Sequence, residues 1–373
     1  MQEKSNISEI KSLTGLRGIA ACFVVMYHYF QGMDPDGPAG ALLRRGYISV
    51  DLFFVLSGFV TGLSYANVFS AGFSPSAYFG FIWKRLGRIY PLYLVVTLVA
   101  IAAAFIDLID VDNSPSLPVI VSNLLLIQAW GIADSIVAPT WSISTEWAAY
   151  LGFPLFVAAT INGGWRRCSI AALASVAVLV FVATRTDIQI HEVAGQTHRN
   201  GPMDVFVADT PFLVLRCLAG FTLGLFAYRL AASPAARRIL RRNHLADLAA
   251  LVVLGLLLIP NSDVLLILAF VPLVICLSTG TSLSARMTAH GVVYWLGVVS
   301  YSIYLNHVVL ENLLRHPLMD TLATLHIPHG FTVAGLVLMV PLLALSAATY
   351  YGIEKPARAW SRRLVSARRQ MAM

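Results

Sequence analysis

Arg17 and His28 lie eleven residues apart in the apolar stretch Leu13–Gln31, LTGLRGIAACFVVMYHYFQ. On an α-helix that separation is about 16 Å of rise and only about 20° of rotation, so the two side chains share one face. An arginine is suited to holding an anion through its guanidinium fork, and a histidine to moving a proton near neutral pH. A charged side chain near the centre of a membrane helix costs about 2.5–3.5 kcal/mol, and such groups usually face a protein interior or a water-filled cavity. The pair therefore marks the wall of a site.

Further along the chain, Arg85 and Arg88 in FIWKRLGRIYPLY stand at i and i+3 on one helix face, the arrangement for bidentate contacts to phosphate. The same residues would equally serve as the positive flank of a membrane helix. Glu146 lies in the apolar block 139–160, with Ser142 and Tyr150 at i−4 and i+4, which makes one face of that helix polar. Tyr304, His307 and Glu311 run along one face at i, i+3 and i+7, either as the lining of a site or as an internal hydrogen-bond ladder. Arg216 sits inside another apolar block and needs an acid such as Glu311. Asp51 opens its block and could cap the helix end. Gly58, Gly62, Gly220 and Gly224 are spaced for close helix packing.

The elements that must position these residues follow from composition. Of 373 residues, 58% are hydrophobic and 12% charged, and the mean hydropathy is +0.73. Soluble domains carry about 25% charged residues. The apolar residues come in blocks near the length that crosses a bilayer: 13–31, 47–66, 89–106, 139–160, 168–184, 211–228, 245–260, 264–280, 292–314 and 331–351. The expected fold is all-α, a polytopic membrane helical bundle of about ten transmembrane helices. With the N-terminus inside, twenty of the 26 Lys and Arg residues fall on the cytoplasmic side and five outside, with Arg216 within a span. That asymmetry places both termini in the cytoplasm. A further span at 117–132, interrupted by Asn123 and Gln128, would invert everything after it and put the Arg237–Arg242 cluster outside, so that block is expected to be re-entrant or interfacial.

The first block lacks a small-residue cleavage site and is expected to be a retained span. Residues 1–373 are expected to form a single transmembrane domain, with 355–373 a short basic cytoplasmic tail lying against anionic lipid headgroups and no appended soluble domain. Glu354–Lys355–Pro356 would then close the last span. Cys22, Cys168, Cys217 and Cys276 sit singly in different blocks with no C-x-x-C pair, which indicates neither a disulfide framework nor a metal site. The net charge of +7 is spread over cytoplasmic helix ends and does not indicate nucleic acid.

Several ordered blocks together resemble the acyltransferase-3 family of integral membrane acyltransferases, which O-acylate glycans. TGLRGIAACFVVMYH carries an arginine–ten residues–histidine pattern as Arg17 and His28. SVDLFFVLSGFVTG is similar to the family's second-span signature, and KRLGRIYPLY carries an R-x-x-R pair as Arg85 and Arg88. PTWSISTEWAAYLGFP with Glu146, LRCLAGFTLGLFAY with Arg216, SYSIYLNH with His307, and IEKPARAW are similar to the later blocks. The sequence departs from the family where His307 is followed by Val308, Val309 and Leu310 in place of the usual nearby proline.

The resemblance implies an enzyme of the bacterial cytoplasmic (inner) membrane, multi-pass and in contact with membrane lipid. It would move an acyl group, acetyl being the expected one, from acyl-CoA in the cytoplasm to a hydroxyl of a glycan or glycolipid outside. No bound cofactor is implied; acyl-CoA is the donor substrate. His28 would act as general base, with Glu146 orienting its ring, and Arg17, Arg85 and Arg88 would hold the CoA phosphates. Ser142, Arg216, Tyr304 and His307 would serve the acceptor side or the structure.

Counting 1.5 Å per residue, Arg17 lies about 6 Å from the cytoplasmic end of its span and His28 about 22 Å. The same count puts Glu146 about 10 Å and Arg216 about 8 Å from the outer face. His28, Glu146, Arg216 and His307 are thereby expected to form one group, and the three arginines another. A secondary transporter or a non-catalytic assembly subunit would share the span count; the two related halves common in transporters are not visible here.

Overall fold

A computed structural model describes residues 9–30, 37–70, 72–106, 115–185, 199–205, 210–234, 236, 243–279 and 281–371. Among them every regular element is helical. The principal helices are α1 (Lys11–Tyr29), α2 (Ser49–Phe69), α3 (Pro75–Phe105), α4 (Leu117–Leu124), α5 (Trp141–Leu151), α6 (Phe153–Thr160), α7 (Gly164–Thr184) and α8 (Phe212–Ala232). They continue with α9 (Asn243–Leu257), α10 (Asp263–Thr279), α11 (Gly291–Val298), α12 (Ser300–Thr324), α13 (Gly330–Thr349) and α14 (Lys355–Met371).

Among the described residues, five stretches are long and apolar enough to cross a membrane, and a sixth if a bent pair counts as one. They contain α2, α3, α7, α8 and α13, and the bent pair is α11 with α12. The protein is an all-helical integral membrane protein, with fewer uninterrupted spans than the ten hydropathy blocks. The physical reason is that several blocks are broken. Block 139–160 divides at Gly152, where Pro154 enters the first turn of α6 and cannot donate back to α5. Block 292–314 bends by 67° between α11 and α12. Helices α9 and α10 have 15 and 17 residues. Segment 117–132 begins with the eight-residue α4, about 12 Å long and too short to cross, and continues as turns. Asn123 and Gln128, which interrupt its hydropathy, are fully buried. Asn123 donates to the Val119 and Asp134 carbonyls, at 2.9 Å each, and accepts from the Ile136 N–H. Asp107, Asp110, Asp112 and the Arg237–Arg242 cluster lie outside the described residues.

Small residues let the helices approach. A Cβ at Gly58 would collide with the Phe221 carbonyl, and one at Gly224 with the Val55 carbonyl, so α2 and α8 pack backbone to backbone. Gly15 and Gly18 of α1 meet the Thr288 carbonyl and Gly297 in the same way.

Among the described residues, Arg216 and Arg45 form ion pairs in the interior. Arg216 holds Asp51 with both arms of its fork, Nε–Oδ1 at 2.8 Å and Nη2–Oδ2 at 2.6 Å, and its third arm donates to the Val205 carbonyl at 3.0 Å. Arg45 meets Asp263 at 2.7 Å, and Asp263 also accepts from the Tyr47 hydroxyl at 2.8 Å and the Met203 N–H at 2.7 Å. Asp51 therefore does more than cap a helix, and Glu311 is not the acid for Arg216: it pairs instead with Arg315, one turn along, at 2.6 Å. Arg216→Ala is expected to cost about 3–5 kcal/mol, because it strands the fully buried Asp51 carboxylate. A large drop in the melting temperature of the detergent-solubilised protein checks this. Glu354 does not end the last helix. A π-turn over Tyr350–Glu354 carries α13 directly into α14, with Glu354 buried between Ser302 at 3.2 Å and Arg358 at 3.2 Å.

Candidate functional site

A cavity of about 100 Å³ opens among α1, α2, α3, α5 and α12. Its charged walls are Arg17, Arg85, Arg88 and Glu146, and its hydroxyl groups include those of Ser142, Tyr150 and Tyr304. Helix α3 brings Arg85 and Arg88 to it on one face, as their spacing requires. The Arg85 guanidinium sits 5.0 Å from the ring centres of both Tyr65 and Tyr150 and 5.5 Å from that of Phe81. These rings hold the cation in place without neutralising it. Among the described residues, no carboxylate lies within 4.0 Å of Arg17, Arg85 or Arg88, whereas Arg45, Arg216, Arg315 and Arg358 form direct ion pairs. Three arginines gathered without a direct counter-ion make a site for an anion.

Glu146 belongs to this cavity and not to His28. Its carboxylate accepts from the Tyr150 hydroxyl at 2.6 Å, and that hydroxyl also lies 3.1 Å from Ser57. It acts on Arg17 and Arg88 through space. The expected support of the His28 ring by Glu146 is not what the fold builds. Helix α5 starts on a 3₁₀ turn at Ala138–Thr140 whose Pro139 and Thr140 are buried, so its first residue is already deep in the protein. One turn along α5, the Tyr150 hydroxyl takes up the Glu146 carboxylate instead.

From the cavity wall a row of polar side chains runs on through the protein. The Ser142 hydroxyl lies 2.8 Å from that of Tyr304, and the Tyr304 ring is 5.7 Å from that of His307. The His307 ring in turn lies 5.0 Å from His28. His307 Nδ1 is 2.7 Å from the Tyr304 carbonyl. A carbonyl only accepts, so Nδ1 carries the proton and Nε2 presents a lone pair. That Nε2 is buried and, among the described residues, has no hydrogen-bond partner. His28 is half-buried, with Tyr27 against its other side at 5.0 Å.

The sequence-predicted residues thus fall into three places. Arg17, Arg85, Arg88 and Glu146 line the cavity; Ser142 and Tyr304 lie at its end; His307 and His28 lie beyond them. Arg216 stands apart in its ion pair with Asp51, although its guanidinium faces the Trp141 ring at 5.3 Å. Sequence reasoning missed Tyr65 as the platform for Arg85, for which no local signal exists. It also missed Arg358, which could have been found from its i+4 spacing to Glu354.

Residues 10–351 match the model of a family described as an acyltransferase domain. A segment of 197 residues is 32% identical to "Acyltransferase MdmB" of Streptomyces mycarofaciens, covering 48% of each chain. A segment of 154 residues is 34% identical to "Protein 2 in picA locus" of Rhizobium radiobacter, covering 36% of this chain and 75% of that one. The match to the first of these relatives thus spans about half of its length. No solved structure matches. The ordered arginine, glutamate and histidine blocks around the cavity and the family match over nearly the whole length lead to one assignment: the chain belongs to the acyltransferase-3 family.

Proposed function

We propose that this protein transfers an acyl group, acetyl in the first instance, from acyl-CoA to a hydroxyl of a glycan or glycolipid. The observation that carries the reading is the gathering of Arg17, Arg85 and Arg88, without a direct counter-ion among the described residues, on a cavity also lined by Tyr304, with the His307 ring 5.7 Å from that of Tyr304 and the His28 ring 5.0 Å from that of His307. The arginines hold donor phosphates. The thioester lies toward Ser142 and Tyr304. His28 takes the proton from the acceptor hydroxyl as its oxygen attacks the thioester carbonyl; the C–S bond then breaks, and the CoA thiolate leaves and is protonated. Glu146 is a positioning residue on the donor side: it holds Tyr150 and offsets the mutual repulsion of Arg17 and Arg88.

In this reading ten segments traverse the bacterial inner membrane, some of them broken, with both termini cytoplasmic. The donor enters from the cytoplasm and the acceptor from outside. The positive-inside distribution of Lys and Arg supports that orientation.

Purified protein with radiolabelled acetyl-CoA tests the proposal. Label is expected to pass to a glycan or glycolipid acceptor and free CoA to appear with it. Absence of both acyl transfer and CoA release across glycan acceptors would overturn the reading, and substrate flux into vesicles without acyl chemistry would point to a transporter.

A further inference from the structure

A second cavity, of about 290 Å³, lies against the first. The two share Val60, Arg85 and Arg88 as a common wall. Its remaining charges are Lys84 from α3 and Arg358 and Arg362 from α14. Helix α14 is not a tail lying free. A Cβ on Gly87 of α3 would collide with the Ser361 side chain, Val365 packs at Gly80, and the Trp360 and Trp83 rings lie 6.1 Å apart. The helix is thereby fixed along α3 at a definite register, with Arg358 and Arg362 one turn apart on the face that meets the vestibule. Five cations surround this space; Arg358 has Glu354, and no ion pair is formed by Lys84 or Arg362 among the described residues. The Arg85 Nε is buried without a hydrogen-bond partner in the wall between the two cavities.

The proposed donor carries its own order of groups: thioester, pantetheine arm, diphosphate, then a ribose bearing a 3′-phosphate. The two cavities offer a matching order, with apolar side chains and hydroxyls inside, Arg85 and Arg88 at the shared wall, and Lys84, Arg358 and Arg362 outermost. We propose that α14 completes the donor site, Arg362 and Arg358 holding the 3′-phosphomonoester while Arg85 and Arg88 hold the diphosphate. The vestibule then discriminates CoA from a donor that lacks this phosphate. This assignment rests on the acyl-CoA reading above. A lipid phosphate is the other source of the same chemistry. Continuity with the inner cavity favours the nucleotide, because a headgroup bound in the vestibule would have no use for the Arg85–Arg88 wall behind it.

The test measures binding of CoA and dephospho-CoA to the full-length protein in detergent by calorimetry, for the unsubstituted protein and for Arg362→Gln. Arg362 is exposed, so its replacement leaves the fold intact. The unsubstituted protein is expected to prefer CoA. Arg362→Gln is expected to weaken CoA binding about tenfold, the loss of one charged hydrogen bond, and to leave dephospho-CoA within twofold. Equal weakening of both ligands, or no change in either, would overturn the role of α14. So would an unchanged CoA affinity accompanied by loss of binding to vesicles containing phosphatidylglycerol, which would give the site to lipid. If the unsubstituted protein binds neither nucleotide, the donor reading itself fails, a result distinct from the others.

Discussion

His28→Ala is expected to lower kcat for acyl transfer by about 10²–10⁴-fold, the usual contribution of a positioned general base, while the protein still inserts and accumulates. The side chain is half-buried on α1 between the Tyr27 and His307 rings. Its removal leaves no buried charge behind, and the packing of α1 against α11 rests on Gly15 and Gly18. The donor-side arginines are on the cavity beyond Tyr304, so KM for acyl-CoA is expected to stay within a fewfold of its starting value. That split separates loss of a base from loss of a binding site. Turnover at the unsubstituted rate in His28→Ala would remove the proposed mechanism, and a collapse of CoA affinity would move His28 to the donor side. His28→Gln, which keeps hydrogen bonding without basicity, is expected to be as inactive as the alanine variant.

The Arg85→Ala/Arg88→Ala double variant is expected to raise KM for acyl-CoA by about 100-fold or more, with a smaller effect on kcat. Hydrogen bonds to charged groups contribute about 1.5–3 kcal/mol each, and tenfold corresponds to about 1.4 kcal/mol. Two such contacts reach that range even with incomplete additivity. Lysine is not expected to restore affinity fully at position 85, because the guanidinium lies against the Tyr65 and Tyr150 rings as well as facing the anion. Raising ionic strength is expected to weaken donor binding to the unsubstituted protein, and to do so less in the double variant. CoA affinity unchanged by the double substitution would remove the arginines from the donor site.

The helical class and the approximate helix positions could be read directly from hydropathy, since blocks near 20 residues with so few charges have one inexpensive solution in a bilayer. The breaks could be read only in part. Pro91, Pro272, Pro317 and Pro341 lie inside continuous helices, where neighbouring packing overrides local preference. The bend between α11 and α12 falls at Val299 and Ser300, where the sequence offers no proline at all. The arginine group was legible from i, i+3 spacing and block order. The placement of Glu146 was not, because a depth count does not say which way a side chain faces, and Tyr150 one turn along takes up its carboxylate. The partner of Arg216 is 165 residues away, at a distance where spacing carries no information.

The 67° bend between α11 and α12 has a consequence for the shape of the cavity. Breaking a helix frees N–H and C=O groups that hydrocarbon cannot satisfy, so such a break survives only against protein or a wet space. Ser300, Tyr301 and Tyr304, the first turns after the bend, are on the cavity wall, and the N-terminal residue before α12 contributes no side-chain cap. Here the protein itself supplies partners: the Val299 N–H donates to the Trp295 carbonyl at 3.1 Å, the Val299 carbonyl accepts from the Ile303 N–H at 2.9 Å, and the Ser300 hydroxyl donates to the Gly297 carbonyl at 2.8 Å. The break is thus closed by short-range bonds that hold its angle, and that angle turns the first turns of α12 toward the charged wall opposite, so the shape of the cavity depends on a joint whose sequence carries no proline.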